Sequence, residues 1–245
     1  MILSEFLFPA LALCAGYLVL GITGFGSALV VVPLLANYWP LAEVVALAIL
    51  LDIAASILHG GLNIKQVQWS SLTRLLPGMA VGTFLGIWLL GELDKRWPLF
   101  FLGVYVAVVG LRALLPIRRP AIPPGVGWVH FAGLLIGVIE VMFATAGPAV
   151  VAWLQRCAGS VAAVRATVPV VMVLAGSIAV SVLWFDGQFS FAVVGPRWLL
   201  GAPIALLAVV VGNRLAGRIP PPLMGRLLAA LLMISGFSLM RHLWV

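Results

Sequence analysis

Carboxyl and hydroxyl groups are scarce in this chain, and the few that interrupt its apolar runs mark where chemistry is expected. Thr23 and Ser27 stand among Gly21, Gly24 and Gly26, Thr145 precedes Ala146, Gly147 and Pro148, and Asp52 and Glu140 lie within blocks of aliphatic residues. An ionisable group in such surroundings is costly to hold and suggests function by default. Asp52 and Glu140 are candidates for carrying a coupling proton or touching a substrate, with an inter-helix hydrogen bond as the plain alternative. His59, further along the block that holds Asp52, is a weaker candidate for the same proton pathway.

The Gly, Ser and Thr clusters point to different chemistry. A helix that breaks and restarts presents free N–H groups and the positive end of its dipole, which together receive an anion. Ser27 is expected to cap the restarting helix in the first cluster, and Pro148 suits the first helical position in the second. Thr23, Gly24, Gly26 and Ser27, with Thr145, Ala146 and Gly147, are therefore the predicted anion-binding residues. Arg165, at the start of a later apolar block, would add a planar guanidinium for paired oxygens. The alternatives are small residues that only let helices pack closely, and an Arg that snorkels to the interface.

What must position these residues follows from length and composition. The chain is 64% hydrophobic and 9% charged, with a mean hydropathy of +1.22, which places it among polytopic membrane proteins and leaves no room for a soluble domain. No charged residue lies between Glu5 and Glu43. One straight helix over that span would be roughly 55 Å long, against a hydrocarbon core of about 30 Å, so the segment must break or turn back. Broken backbone at membrane depth is tolerated where protein or a water-filled cavity covers it. The N-terminal residues carry Glu5 and no Lys or Arg, so the first helix is expected to be retained rather than cleaved as a signal peptide. Cys14 and Cys157 are isolated and read as packing residues, with no metal-ligand spacing.

Apolar runs place spans near 4–36 (broken), 42–61, 72–91, 97–115, 127–155 (broken), 161–185, 192–213 and 222–244. The Pro- and Arg-rich stretch 117–126 is the least compatible with helix and divides a first repeat, 1–116, from a second, 127–245. Sliding one half over the other supports a duplication: Pro77, Gly82, Gly86 and Gly110 fall opposite Pro203, Ala208, Gly212 and Gly236, and Ser27-Ala28 falls opposite Gly147-Pro148. The expected fold is all-α, a polytopic membrane protein of two homologous repeats, each a broken helix or hairpin plus three transmembrane helices.

Charge bears on their orientation. If both broken blocks cross once, the basic residues divide evenly between the two sides. If both turn back, Lys65, Arg74, Arg112, Arg118, Arg119, Arg156, Arg165, Arg214, Arg218 and Arg226 share one side and Lys95, Arg96, Arg197 and Arg241 the other. The second arrangement obeys the positive-inside rule and predicts inverted repeats with both termini outside. Topology accounts for the net charge of +7, and no nucleic-acid surface is expected.

The stretch Gly24-Phe25-Gly26-Ser27-Ala28-Leu29-Val30-Val31-Val32-Pro33-Leu34-Leu35, together with Ala146-Gly147-Pro148-Ala149-Val150-Val151 and Arg165-Ala166-Thr167, resembles the motifs of the TauE/SafE sulfite and organosulfonate exporters. The likeness covers nearly the whole chain. Ser27, Ala28, Ala144 and Ala146 stand where that family more usually has glycine. The resemblance implies a multi-pass protein of the bacterial cytoplasmic (inner) membrane that exports small sulfur-containing anions such as sulfite or sulfoacetate. From the residues alone, the reading is an anion-compatible transporter; with the resemblance it becomes a secondary exporter working by alternating access, with transport of another small anion as an alternative, no cofactor and membrane lipids as the other partner, and a homodimer is compatible with it. Two other classes fit less well: an anion channel, and an intramembrane hydrolase using Ser27 with His59, for which no motif fixes the geometry.

Overall fold

The structure is a computed structural model that describes residues 3–60, 64–94, 96–113, 126–157 and 161–216 and positions 229, 230, 232, 233 and 237. Residues 117–125 of the predicted linker and most of the predicted span 222–244 lie outside the described residues, while Val126 already belongs to the helix that follows. The described residues form helices without strands: α1 (Leu3–Thr23), α2 (Ser27–Leu35), α3 (Leu41–Gly60), α4 (Trp69–Glu92), α5 (Arg96–Ala113), α6 (Val126–Phe143), α7 (Gly147–Cys157), α8 (Val161–Phe185) and α9 (Phe191–Leu215), with a short 3-10 turn at Ile64–Gln66. Segments of α3, α4, α8 and α9 are long and apolar enough to cross a membrane, while α1 and α6 contribute shorter apolar stretches.

Both breaks fall where the sequence analysis puts them. α1 stops at Thr23 because Gly24 (φ 86°) and Gly26 (φ 95°) take left-handed angles that end the helical ladder and suit glycine alone. The Thr23 hydroxyl secures this turn, its one proton shared between the carbonyls of Val19 and Phe25. The chain then reverses. Val31 and the Ser27 carbonyl lie against Gly16, and the Tyr38 ring packs on Phe8 with centroids 4.6 Å apart, so α2 runs back beside α1 to its starting face. α2 is apolar all round and almost entirely buried, as a short helix inside a bundle must be.

The second break uses Ala144 at φ 55°, a left-handed angle that an alanine adopts only at a cost of about 1–2 kcal/mol. α7 restarts at Gly147, with Pro148 in its first turn. Its far end, Cys157, lies within electrostatic reach of Arg74 near the start of α4. α6 begins beside that same end of α4, so α7 also doubles back.

Two close helix pairs hold the bundle together, and in each the partners run in the same direction. Along α4 and α6, Gly78 faces the His130 carbonyl, Gly82 faces Leu134 and Gly86 faces Val138, while Gly133 and Gly137 of α6 face Leu75 and Met79. Along α1 and α9, Leu13 meets Gly201, and Gly21 meets Val209 and Gly212. A β-carbon at Gly82 or Gly137 would overlap the opposite backbone, so these glycines set the approach distance. The outcome is two half-helix starts, those of α2 and α7, facing each other beneath a shell of longer helices.

Candidate functional site

α3 carries Asp52 into the interior on a face lined by Ala48, Ile49, Leu51 and Ala55, all buried. Its Oδ1 accepts from the Tyr17 hydroxyl of α1 at 2.7 Å and from the Ser27 hydroxyl of α2 at 2.6 Å. One carboxyl oxygen thereby ties three helices. Ser27 is not the cap expected from sequence: Gly26 occupies the N-cap position of α2, no side chain caps the helix, and the Ser27 hydroxyl is turned to Asp52. A carboxylate is a stronger acceptor than the local backbone, and its charge-assisted bond decides where the hydroxyl points.

The second half-helix start has its own carboxyl. Glu140, buried on α6, reaches across the break so that its Oε2 accepts from the Ala146 N–H at 3.2 Å. Tyr105 of α5 donates to the Thr145 carbonyl at 2.8 Å, fixing that peptide. Thr145 is 2% exposed, and its Oγ1 has no hydrogen-bond partner among the described residues. A buried hydroxyl without a partner costs about 1–3 kcal/mol, and the cavity that Thr145 lines has room for a water or a ligand oxygen to meet it. Asp52 lies close enough to Glu140 for the two charges to interact.

Between the two half-helix starts is a cavity of about 20 Å³, walled by Gly24, Phe25, Gly26 and Ser27 on one side, Ala144, Thr145, Gly147 and Pro148 on the other, and Asp52, Ser56 and Met172 around them. This is room for about one water-sized molecule. A second cavity, of about 230 Å³, lies beyond the first break and is lined by Gly21, Ile22, Thr23, Gly24, Phe25, Val151, Gln155, Val164, Val168, Asn213 and Ala216.

The residues singled out from sequence therefore divide. Gly24, Gly26, Ser27, Thr145, Gly147 and Asp52 share the inner cavity. Thr23 lines the outer one, with its hydroxyl donating to its own backbone, and the Ala146 N–H is bonded to Glu140. The side chains of Arg165 and His59 lie outside the described residues. Arg197 is engaged elsewhere: it pairs with Glu43 at 2.7 Å and stacks over Trp39. Tyr17, Phe25, Ser56, Tyr105 and Met172 belong to the site without having been predicted. Ser56 had a usable signal, since it is one helical turn from Asp52 on the same face. Tyr17 and Tyr105 had only the weaker one of a phenol inside an apolar run.

Chemically, the arrangement offers two helix N-termini, hydroxyl donors and two carboxyls around one small space. Neutral carboxyls and free donors suit an oxyanion, whereas charged carboxylates repel it. Comparison with known proteins bears on which ligand this serves. A family model described as sulfite exporter TauE/SafE matches residues 8–239. A probable inner membrane transporter protein, TsaS, from Comamonas testosteroni is 57% identical over 201 residues, covering 81% of this chain and 83% of that protein. No solved structure matches the chain.

Proposed function

The chain belongs to the sulfite exporter TauE/SafE family, whose members are inner-membrane transporters rather than enzymes, and from that premise we propose that it exports a small sulfur-containing anion, sulfite or an organosulfonate such as sulfoacetate, by alternating access. The observation that carries the reading is the meeting of two half-helix starts, one from each half of the chain, around a buried Thr145 hydroxyl that has no partner among the described residues. The anion lies between the N-termini of α2 and α7, with Thr145 as the hydroxyl donor and Arg165 as the cationic contact, while Ser27, whose one proton goes to Asp52, lines the site without donating to the anion. The inner cavity is too small for a sulfonate, so binding requires the two halves to part, which is the motion alternating access needs.

The chain directions support inverted repeats: α1 runs parallel to α9, α6 runs parallel to α4, and each broken helix turns back on itself. In that arrangement Lys65, Arg74, Arg112, Arg156 and Arg214 share one face, while Arg96 and Arg197 lie on the other. The basic face is then cytoplasmic.

The two carboxyls give the transport its coupling. Each half-helix start is engaged by one of them, Asp52 through Ser27 and Glu140 through Ala146, so an arriving anion takes the place of a charge of its own sign. A unit charge about 5 Å away at an effective dielectric of about 20 is worth about 3 kcal/mol. Protonation of the carboxyls removes that repulsion, and anion binding and proton binding reinforce each other by linkage. Among the described residues, the charged and titratable groups facing this pair are Tyr17 and Tyr105, together with each carboxyl for the other.

The test is flux of sulfite, sulfate, sulfoacetate and taurine into proteoliposomes, with Arg165→Ala and Thr145→Val as controls. The expected result is saturable flux of sulfite or sulfoacetate that both variants weaken. If none of these compounds moves, the substrate reading fails.

A further inference from the structure

Gly24 and Phe25 belong to the walls of both cavities, the inner one of about 20 Å³ and the outer one of about 230 Å³. Phe25 also packs on the first residue of α7: a β-carbon placed on Gly147 would stand 3.2 Å from Phe25 Cβ and 3.5 Å from its ring. The absence of a side chain at Gly147 thus makes space for Phe25 directly over one of the two helix starts. We propose that Phe25 is the gate between the outer cavity and the inner site, and that it sets which anions pass by their girth. This rests on the transport reading above for what passes, but not for the existence of the gate.

The backbone is built for such a part. Phe25 stands between two glycines in the left-handed region, Gly24 at φ 86° and Gly26 at φ 95°, so its peptide can swing without a neighbouring β-carbon resisting. In the observed position the Thr23 hydroxyl holds it, donating to the Phe25 carbonyl and accepting from the Phe25 N–H. Thr23, which sequence alone suggests as an anion contact, is here the latch that holds the gate shut. At the rim of the outer cavity Gln155 and Asn213 are exposed and uncharged, so an anion meets no carboxylate there before it reaches Phe25. The ring closes the way by size and by excluding water, which also shields the Asp52 cluster behind it.

The gate can be tested without knowing the substrate. In protein with Cys14→Ala and Cys157→Ala, a single reporter, Ser56→Cys, is placed in the inner cavity, and its reaction with a membrane-impermeant thiosulfonate is timed from the basic face. Gln155→Cys serves as the outer-cavity reporter. Labelling scales with the fraction of time the passage is open, so Phe25→Ala is expected to speed reaction at position 56 by about tenfold or more, with Phe25→Leu intermediate and position 155 unchanged. Thr23→Val, which releases the latch, is expected to act in the same direction. An unchanged rate at position 56 in Phe25→Leu protein that elutes as a single species overturns the proposal. So does equal acceleration at both positions, which would mean general loosening. The flux counterpart is a rise in the larger sulfonates relative to sulfite in Phe25→Ala; an unaltered ratio where both move overturns the selectivity part of the proposal.

Discussion

Asp52→Asn should tighten anion binding above neutral pH and flatten its pH dependence. In the wild-type protein, affinity should fall as pH rises, because each deprotonated carboxyl opposes the anion. The replacement leaves the geometry intact for a specific reason: the Tyr17 and Ser27 hydroxyls both donate to the same oxygen of Asp52, and the amide oxygen of asparagine can accept both bonds. What is lost is the charge. At about 5 Å and an effective dielectric of about 20, removing it gains about 3 kcal/mol, or roughly 100-fold in affinity, at a pH where the wild-type carboxyl is ionised. At low pH, where that carboxyl is neutral, the two proteins should bind alike. Glu140 remains, so some pH dependence persists and should vanish in the Asp52→Asn, Glu140→Gln double variant. The assay is titration of purified protein with sulfoacetate, whose own charge stays fixed from mildly acidic to alkaline pH, across a pH series, using intrinsic tryptophan fluorescence or calorimetry. The same pH profile in wild type and variant would rule out a charge role for Asp52, as would a uniform loss of affinity at every pH, which would make Asp52 a direct contact or a structural tie.

The other expected outcomes are simpler. Thr145→Val removes a hydroxyl that has no partner among the described residues, so thermal unfolding in detergent should show unchanged or higher stability while affinity falls by about one neutral hydrogen bond, about 0.5–1.5 kcal/mol or roughly 2- to 13-fold. A loss of stability with affinity intact would contradict that assignment. Ala144→Gly should raise stability by up to about 1 kcal/mol, the left-handed strain relieved less the added backbone entropy of glycine, read as a higher unfolding temperature. Gly82→Val should abolish a stable monodisperse protein on size-exclusion chromatography, because its β-carbon would overlap the Leu134 backbone and neither helix can move aside without losing its other glycine contacts. Arg197→Ala should cost about 1 kcal/mol of stability through loss of the Glu43 pair and the Trp39 stack, both only partly buried, and leave substrate affinity unchanged in the same titration.

How much of this was legible in the sequence depends on the range of the interaction involved. The helical blocks and both breaks are local events, written in runs of aliphatic residues and in Gly24, Gly26, Gly147 and Pro148, and they were readable. For Ala144 the one hint of a turn is that it stands where the resembling family more usually has glycine; an alanine does not itself favour a left-handed angle, and the surrounding fold imposes it. Ser27 illustrates the limit most clearly. Its type and place suit an N-cap, yet its hydroxyl goes to Asp52, a partner on another helix that a local rule cannot see. The glycines of α4 and α6 are visible as a spacing, but which helix each would face emerges only from packing. Phe25 read as one more apolar residue in a membrane segment, and it gains meaning only from the two cavities that meet at it.

On the proposed function, this protein carries a sulfur-containing anion by exposing one site alternately to the two faces. Counterflow tests it most directly: proteoliposomes loaded with unlabelled sulfoacetate or sulfite are diluted into the same labelled anion at trace concentration. A carrier should accumulate label transiently above equilibrium, in a saturable manner and faster at acidic than at alkaline pH. Linear uptake of label without overshoot would contradict alternating access, and no uptake of either anion would contradict the substrate.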